Sequence, residues 1–267
     1  MKVLFVGNSH TYFNDMPQTF ADMCSGGAPL YKENVAAGQG ADGYGEDNGV
    51  RDGQGEVGDN VDVTMLAYSW KDLEWHASTE YFTVRFNILY GGYDYCIIQQ
   101  GAHPFPGDET TLVNAQRIAD LCAKAGTQPI LIETWAERDF PEHQENLSRA
   151  NRMVAEKIGA QLAPVGTVWA KIRAEHPDID LFWKDGEHAG MYGDLIIAGI
   201  LCRMVTGREM TPVDYARDFA QDIMIDFHKP QVLEDIAGIL TEPDPDIVRV
   251  ICDYVNSIEI LRAKPSD

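Results

Sequence analysis

The chain has 267 residues, with 21 Lys and Arg against 42 Asp and Glu and a formal net charge of −21. That balance argues against a nucleic-acid partner or an anionic membrane, because both need clustered basic side chains to meet phosphate. At 45% hydrophobic and 24% charged, the composition excludes disorder and collagen-like structure and supplies one sizeable core.

The opening MKVLFVGNSHTYF has one Lys and a short apolar run before Gly7, without a cleavage pattern, so no signal peptide is read here. No stretch approaches the ~18 apolar residues of a spanning helix. Cys24, Cys96, Cys122, Cys202 and Cys252 stand singly, with no CxxC spacing, which predicts buried free thiols and neither a disulfide framework nor a zinc site. A cytoplasmic protein is the expectation.

In chain order, VLFVG predicts a first strand, followed by polar turn residues and a helix over MPQTFADMC. VDVTMLAY reads as a strand, FTVRFNIL as a helix and DYCIIQ as a buried strand. TLVNAQRIADLCAKAG is a helix closed by Gly126, PILIETW a strand, and HQENLSRANRMVAEKIGA a helix closed by Gly159. LAPVG is a brief strand before the helix TVWAKIRAEH. Short strands alternating with longer helices predict a parallel sheet covered on both faces. Beyond about residue 210, AQDIMIDFHK, PQVLEDIAGIL and DIVRVICDYVNSIEIL predict a C-terminal helical appendage over 211–267, packed on the domain formed by 1–210.

Residues 38–58 interrupt the rhythm as a glycine-rich acidic insertion, reaching about residue 60. Its Gly38, Gly40 and Gly43 spell GxGxxG, but the sequel YGEDNGVRDG cannot sustain the helix a pyrophosphate site needs, and its acids would repel phosphate. Asp42, Glu46, Asp47, Asp52, Glu56 and Asp59 do not follow the register of an EF-hand loop and read as solvated.

Ser9, in Gly7-Asn8-Ser9-His10-Thr11, falls at the carboxyl end of the first strand, where open α/β sheets place their ligand sites. A GxSxG elbow is absent, since Thr11 occupies the second glycine position. Asp185 and His188 are three residues apart, so in a helix or tight turn the carboxylate can orient the imidazole and leave its other nitrogen as a general base. The bland readings are a turn or cap for Ser9 and a helix N-cap for Asp185.

These segments resemble the SGNH/GDSL-type hydrolases. VLFVGNSHTYFNDMP is similar to the first block of the branch with a GNS-x-T signature, and DGEHAGMYGDLIIAG to the last block. LAYSWKDLEWH and DYCIIQQGAHP resemble the second and third, so the likeness spans roughly residues 1–207 apart from the insertion. It implies a three-layer α/β/α, flavodoxin-like fold with a parallel central sheet. Ser9 is then the nucleophile, His188 the base and Asp185 its orienting partner. The oxyanion donors implied are the backbone N–H groups of Ser9 and Ser69 and a side-chain amide. Gln99-Gln100-Gly101 stands in place of Gly-x-Asn, which makes Gln100 the first choice for that amide and Gln99 the second.

His10, His103 and Trp135 are candidate pocket residues, able to stack on a sugar or a planar acyl group or else to serve the core. Trp70 and Trp75 flank the second block, and one is expected in the core. Glu187, beside His188, either raises the imidazole pKa or is simply exposed. The resemblance implies hydrolysis of a short-chain ester, acetyl first, on a small molecule or carbohydrate, with no metal or organic cofactor. The alternatives are a sugar-binding or scaffold protein that keeps the fold without turnover, and a lipid esterase or thioesterase.

Overall fold

The structure, a computed structural model, describes residues 1–25, 61–212, 219–220, 240–241 and 243–259. The glycine-rich insertion and its acids, and most of the two helices expected over 220–240, lie outside the described residues.

Five strands, β1 (Lys2–Gly7), β2 (Asp62–Ala67), β3 (Tyr95–Ile98), β4 (Gln128–Ile132) and β5 (Gln161–Ala163), form an all-parallel sheet in the order β2-β1-β3-β4-β5. The helices are α1 (Ser9–Tyr12), α2 (Met16–Cys24), α3 (Leu73–Ser78), α4 (Tyr81–Tyr90), α5 (Asp108–Ala125), α6 (His143–Ile158), α7 (Val165–Glu175), α8 (Met191–Thr206) and α9 (Pro245–Ser257). Strand order reverses at β1, between β2 and β3, so the carboxyl end of β1 is the switch point at which such sheets form a crevice.

Strand periodicity divides the core in two. Val3 and Phe5 of β1, Tyr95 and Ile97 of β3, and Ile130 and Ile132 of β4 face one way and pack with α2, α7, α8 and α9. Leu4, Val6, Cys96, Ile98 and Leu131 face the other and pack with α3 to α6. Both faces are covered, which is why these strands read as unbroken apolar runs. Gly126 and Gly159 close α5 and α6 with φ of 72° and 67°, the left-handed caps their positions predicted. All five cysteines are buried free thiols.

Three local departures are instructive. Helix α1 and a 3-10 turn (Phe13–Asp15) precede α2, because Asn14 and Asp15 take positive φ and break one helix into two. Ala220 pairs with Leu240 in a two-residue antiparallel ladder, so these two ends of the expected helices are extended. Helix α4 buries only Val84 and Ile88, leaving Phe82, Phe86 and Tyr90 as an exposed stripe four residues apart. No described helix is long and apolar enough to cross a membrane.

Helix α9 adds Val248, Ile251, Cys252 and Val255 to the first core cluster, and Arg203 of α8 donates to the carbonyls of Val255 and Ile258. The helix is therefore part of the same layer as α8.

Candidate active site

The site is built outward from the end of β1. His76 Nε2 donates to the Gly7 carbonyl at 2.7 Å, and the Tyr68 N–H reaches the same oxygen at 3.2 Å, which pins the last strand residue. Gly7 has no room for a side chain: a Cβ there would lie 2.3 Å from Thr11 Oγ1 and 2.7 Å from Gln99 Oε1. Gln99 Oε1 accepts from the Asn8 N–H and the Thr11 hydroxyl, both at 3.0 Å, while its amide donates to the Gln100 carbonyl. Asn8 then caps α1 through a 3.0 Å bond from the His10 N–H to Oδ1. Ser9 is thereby the first residue of a helix, and its N–H is unbonded among the described residues.

The base arrives from a different construction. Residues 181–190 form a narrow hairpin, with Trp183 N bonded to His188 O at 2.9 Å, Gly190 N to Leu181 O at 2.9 Å, and a bridge between Phe182 and Ala189. Gly186 supplies φ of 78° at the tip. Asp185 Oδ1 accepts the N–H groups of Glu187 (2.9 Å) and His188 (3.0 Å), folding the tip so that Oδ2 meets His188 Nδ1 at 2.7 Å. His188 Nε2 lies 2.8 Å from Ser9 Oγ. An ionised carboxylate only accepts, so the proton sits on Nδ1 and Nε2 receives the serine hydroxyl. Burial works against the Asp185 carboxylate, but the two N–H groups and the His188 ring outweigh it and hold the carboxyl below its ordinary range. The structure therefore brings Ser9, His188 and Asp185 together, with Asp185 in a hairpin tip and the next helix capped at Gly190 instead.

The imidazole of His188 is clamped on both faces. Phe13 stacks on it with centroids 4.5 Å apart, and His10 at 4.7 Å. Sequence reasoning singled out His10 but not Phe13, although three-residue spacing at a helix start places both on one side. Burial holds His10 well below the ordinary histidine value, reinforced by the neighbouring charges of His188 and His103, so His10 stays neutral beside a base that becomes cationic.

The expected pocket residues occupy other positions. Trp135 is 1% exposed, stacks on Trp169 at 4.6 Å, and donates from Nε1 to the Glu187 carbonyl at 2.9 Å. His10 is 7% exposed, and the His103 side chain 3%. All three are buried and do not form an open stacking surface: Trp135 is tied to the hairpin at Glu187, His10 stacks on His188 and contacts the His103 ring, and His103 lies against Glu137. His103 Nδ1 lies 3.0 Å from Glu137 Oε1, close enough for charge pairing but out of line for a hydrogen bond; burial nevertheless lowers its pKa overall. Trp70 is 85% exposed with φ of 61° and Trp75 half-buried against Tyr68, so neither is core. Glu187 contributes its backbone to the hairpin.

Gln100 and Gln99 are likewise corrected. Gln100 is fully buried; its Oε1 accepts from Leu73 N (3.1 Å) and Gly101 N (2.8 Å), and its Nε2 donates to Thr111 Oγ1 (3.1 Å). Gln99 is 1% exposed and committed to the β1 loop. Both amides bind the β3 end to its neighbours, and neither is presented to the crevice. Ser69 lies in the exposed turn after β2, with its N–H unbonded among the described residues.

Asn14, also missed, donates from Nδ2 to the Ala189 carbonyl at 3.0 Å and to Asp194 Oδ2 at 2.7 Å, tying the nucleophile segment to the base hairpin. Asp194 is fully buried, and burial raises its pKa well above the carboxylate range, with Asp15 adding to the rise and Asn14 opposing it. Among the described residues, no three His, Cys, Asp or Glu side chains converge as metal ligands.

No family model and no curated protein matches the chain. Solved structures do. An alpha/beta hydrolase from the metagenome of Lake Arreo, Spain, is 14% identical, covering 75% of this chain and 92% of its own, with a TM-score of 0.50. A GDSL-like lipase from Parabacteroides merdae is 15% identical over 77% of this chain and 95% of its own, also at 0.50. An acetyl xylan esterase matches at 13% identity over 75% of this chain and 98% of its own, at 0.50. At such identities the likeness speaks for architecture, and with the parallel five-stranded sheet it shows that this chain carries the SGNH/GDSL hydrolase-type fold.

Proposed function

We propose that the protein is a serine esterase working through an acyl-enzyme. The observation that carries this reading is the continuous relay from Asp185 Oδ2 to His188 Nδ1 (2.7 Å) and from His188 Nε2 to Ser9 Oγ (2.8 Å), at the switch point of the sheet. Ser9 Oγ attacks the ester carbonyl carbon while His188 Nε2 takes the hydroxyl proton. The carbonyl electron pair moves to oxygen, and in this reading the N–H groups of Ser9 and Ser69 stabilise the charge. Collapse breaks the bond to the alcohol, which leaves with the proton held by His188. A water then gives its proton to His188 as its oxygen attacks the acyl carbon; the second intermediate collapses by breaking the bond to Ser9 Oγ, which takes the proton back from His188, and the carboxylic acid is released.

Asp185 stays ionised throughout and favours the imidazolium. His10, held neutral, adds no repulsion as that charge forms. The substrate we favour is a short acyl group, acetyl first, on a carbohydrate or other small alcohol. The resemblance to the SGNH/GDSL-type hydrolases supports it, as does the presence of an acetyl xylan esterase among proteins of this fold.

The test is hydrolysis of p-nitrophenyl esters of increasing chain length, and of acetylated sugars, by wild type and Ser9→Ala. Turnover falling with chain length and lost in the variant is expected. Equal rates for the two proteins would remove the triad, and no turnover at all would favour a binding protein.

A further inference from the structure

We infer that the side-chain amide of Asn8 is the third oxyanion donor, the position for which the two glutamines were expected. This rests on the esterase reading above. A tetrahedral intermediate places a full negative charge on one oxygen, and a preorganised donor aimed at it is worth more than the same donor in water. Both glutamine amides are spent inside the protein. Asn8 immediately precedes the nucleophile and is 6% exposed, yet its unpartnered amide nitrogen is not among the enclosed polar atoms, so what the residue exposes includes that donor.

The orientation of that amide is fixed by its other end. The His10 N–H donates to Asn8 Oδ1 at 3.0 Å, and His10 Nδ1 lies 3.2 Å from the same atom. Only an oxygen can accept the backbone N–H, so Nδ2 points away from the helix. It makes no hydrogen bond among the described residues. A Cβ built on Gly101 would lie 3.5 Å from Asn8 Nδ2, which locates the amide at the carboxyl end of β3 beside the end of β1. Gly101 holds the third-block position where the sequence resemblance implies an Asn. Asn8 thus brings from one side an amide that Gly101 lacks on the other. The amide is left without a protein partner but accessible, so its N–H groups are available to an oxyanion when the intermediate forms.

Asn8→Ser keeps an oxygen to cap α1 and deletes the amide. It should lower kcat by about 10² to 10³-fold while KM stays within about threefold. A Cβ at Gly101 meets Asn8 Nδ2 at 3.5 Å and Asp72 Cβ at 3.8 Å, ordinary contacts, so Gly101→Asn is sterically admissible once Asn8 is shortened. The double variant Asn8→Ser/Gly101→Asn should recover at least about tenfold of the lost kcat. Asn8→Asp, which preserves shape and cap, should lose at least as much as Asn8→Ser and serves if the serine variant does not fold.

If Asn8→Ser keeps kcat within about threefold of wild type while Ser9→Ala abolishes it, the assignment is overturned and the esterase reading stands. If kcat falls without any rescue by Gly101→Asn, the loss is that of a helix cap and the assignment is again overturned. If wild type turns over no ester, the underlying reading fails and takes the assignment with it.

Discussion

The nucleophile segment and the base hairpin meet across 2.8 Å, yet they are held in place by different physics. Residues 7–13 continue a buried central strand, and their backbone is fixed by His76, Tyr68 and Gln99. Residues 181–190 are anchored at their base by the buried Leu181, Phe182 and Ala189, while the tip that carries Asp185 and His188 is positioned by polar ties: Trp135 to Glu187, Arg138 to Gly186 and Trp183, Asn14 to Ala189, and Asp185 within its own turn. Damage to the first region should therefore appear as lost stability, and damage to the second as lost activity in a folded protein.

The sharpest division is expected from Asp185→Asn. Its side-chain oxygen can still accept the N–H groups of Glu187 and His188, but its NH₂ would face His188 Nδ1 and reverse the tautomer, leaving Nε2 unable to accept from Ser9. A fall in kcat of about 10⁴-fold with an unchanged melting temperature is predicted, as in other triads. A strong drop in melting temperature would show that the hairpin contributes to the fold more than its exposure suggests.

Asn14→Ala should come next, with kcat lowered by roughly 10²-fold through misplacement of His188. Removing Asn14 also leaves the buried Asp194 without its donor, so this variant blurs the division by a measurable loss of stability. On the strand side, Gln99→Leu strands the Asn8 N–H and the Thr11 hydroxyl, each costing about 1–3 kcal/mol, which urea denaturation would read directly. A loss of activity without loss of stability in Gln99→Leu would break the comparison.

The smallest effect concerns pH. His10, His76 and His103 are all pushed below the ordinary value of 6.5, in each case chiefly by burial. Stability from these neutral imidazoles is present above that value, and falls as pH drops through it, because the unfolded chain takes up protons that the fold resists. Each contributes a slope of up to about 1.4 kcal/mol per pH unit. Asp185 acts in the same direction in a lower pH window, since its depressed carboxyl keeps its contribution until pH falls below 3.8. His10→Phe should flatten the slope between pH 6.5 and the lower histidine values; an unaltered slope would contradict the burial account.

Strand periodicity, the glycine caps and the Asp185/His188 spacing were legible in the sequence because each depends on near neighbours along the chain. What escaped it depends on tertiary burial. A glutamine reads as a donor whether it faces substrate or, as Gln100 does, a buried threonine. Trp135 and His103 sit near the predicted active edge, but distant contacts, the hairpin for Trp135 and Glu137 with the His10 ring for His103, make them buried and not surface. Phe13 and Asn14 carried no chemical signature, and their roles follow from a hairpin some 175 residues away.

The central claim, that Ser9 is an activated nucleophile, is tested most directly by a serine-directed phosphonate followed by peptide mass analysis of wild type and Asp185→Asn. A single adduct on Ser9, formed far more slowly in the variant, is the predicted result. An adduct on another residue with Ser9 unmodified, or equal labelling rates in the two proteins, would contradict it.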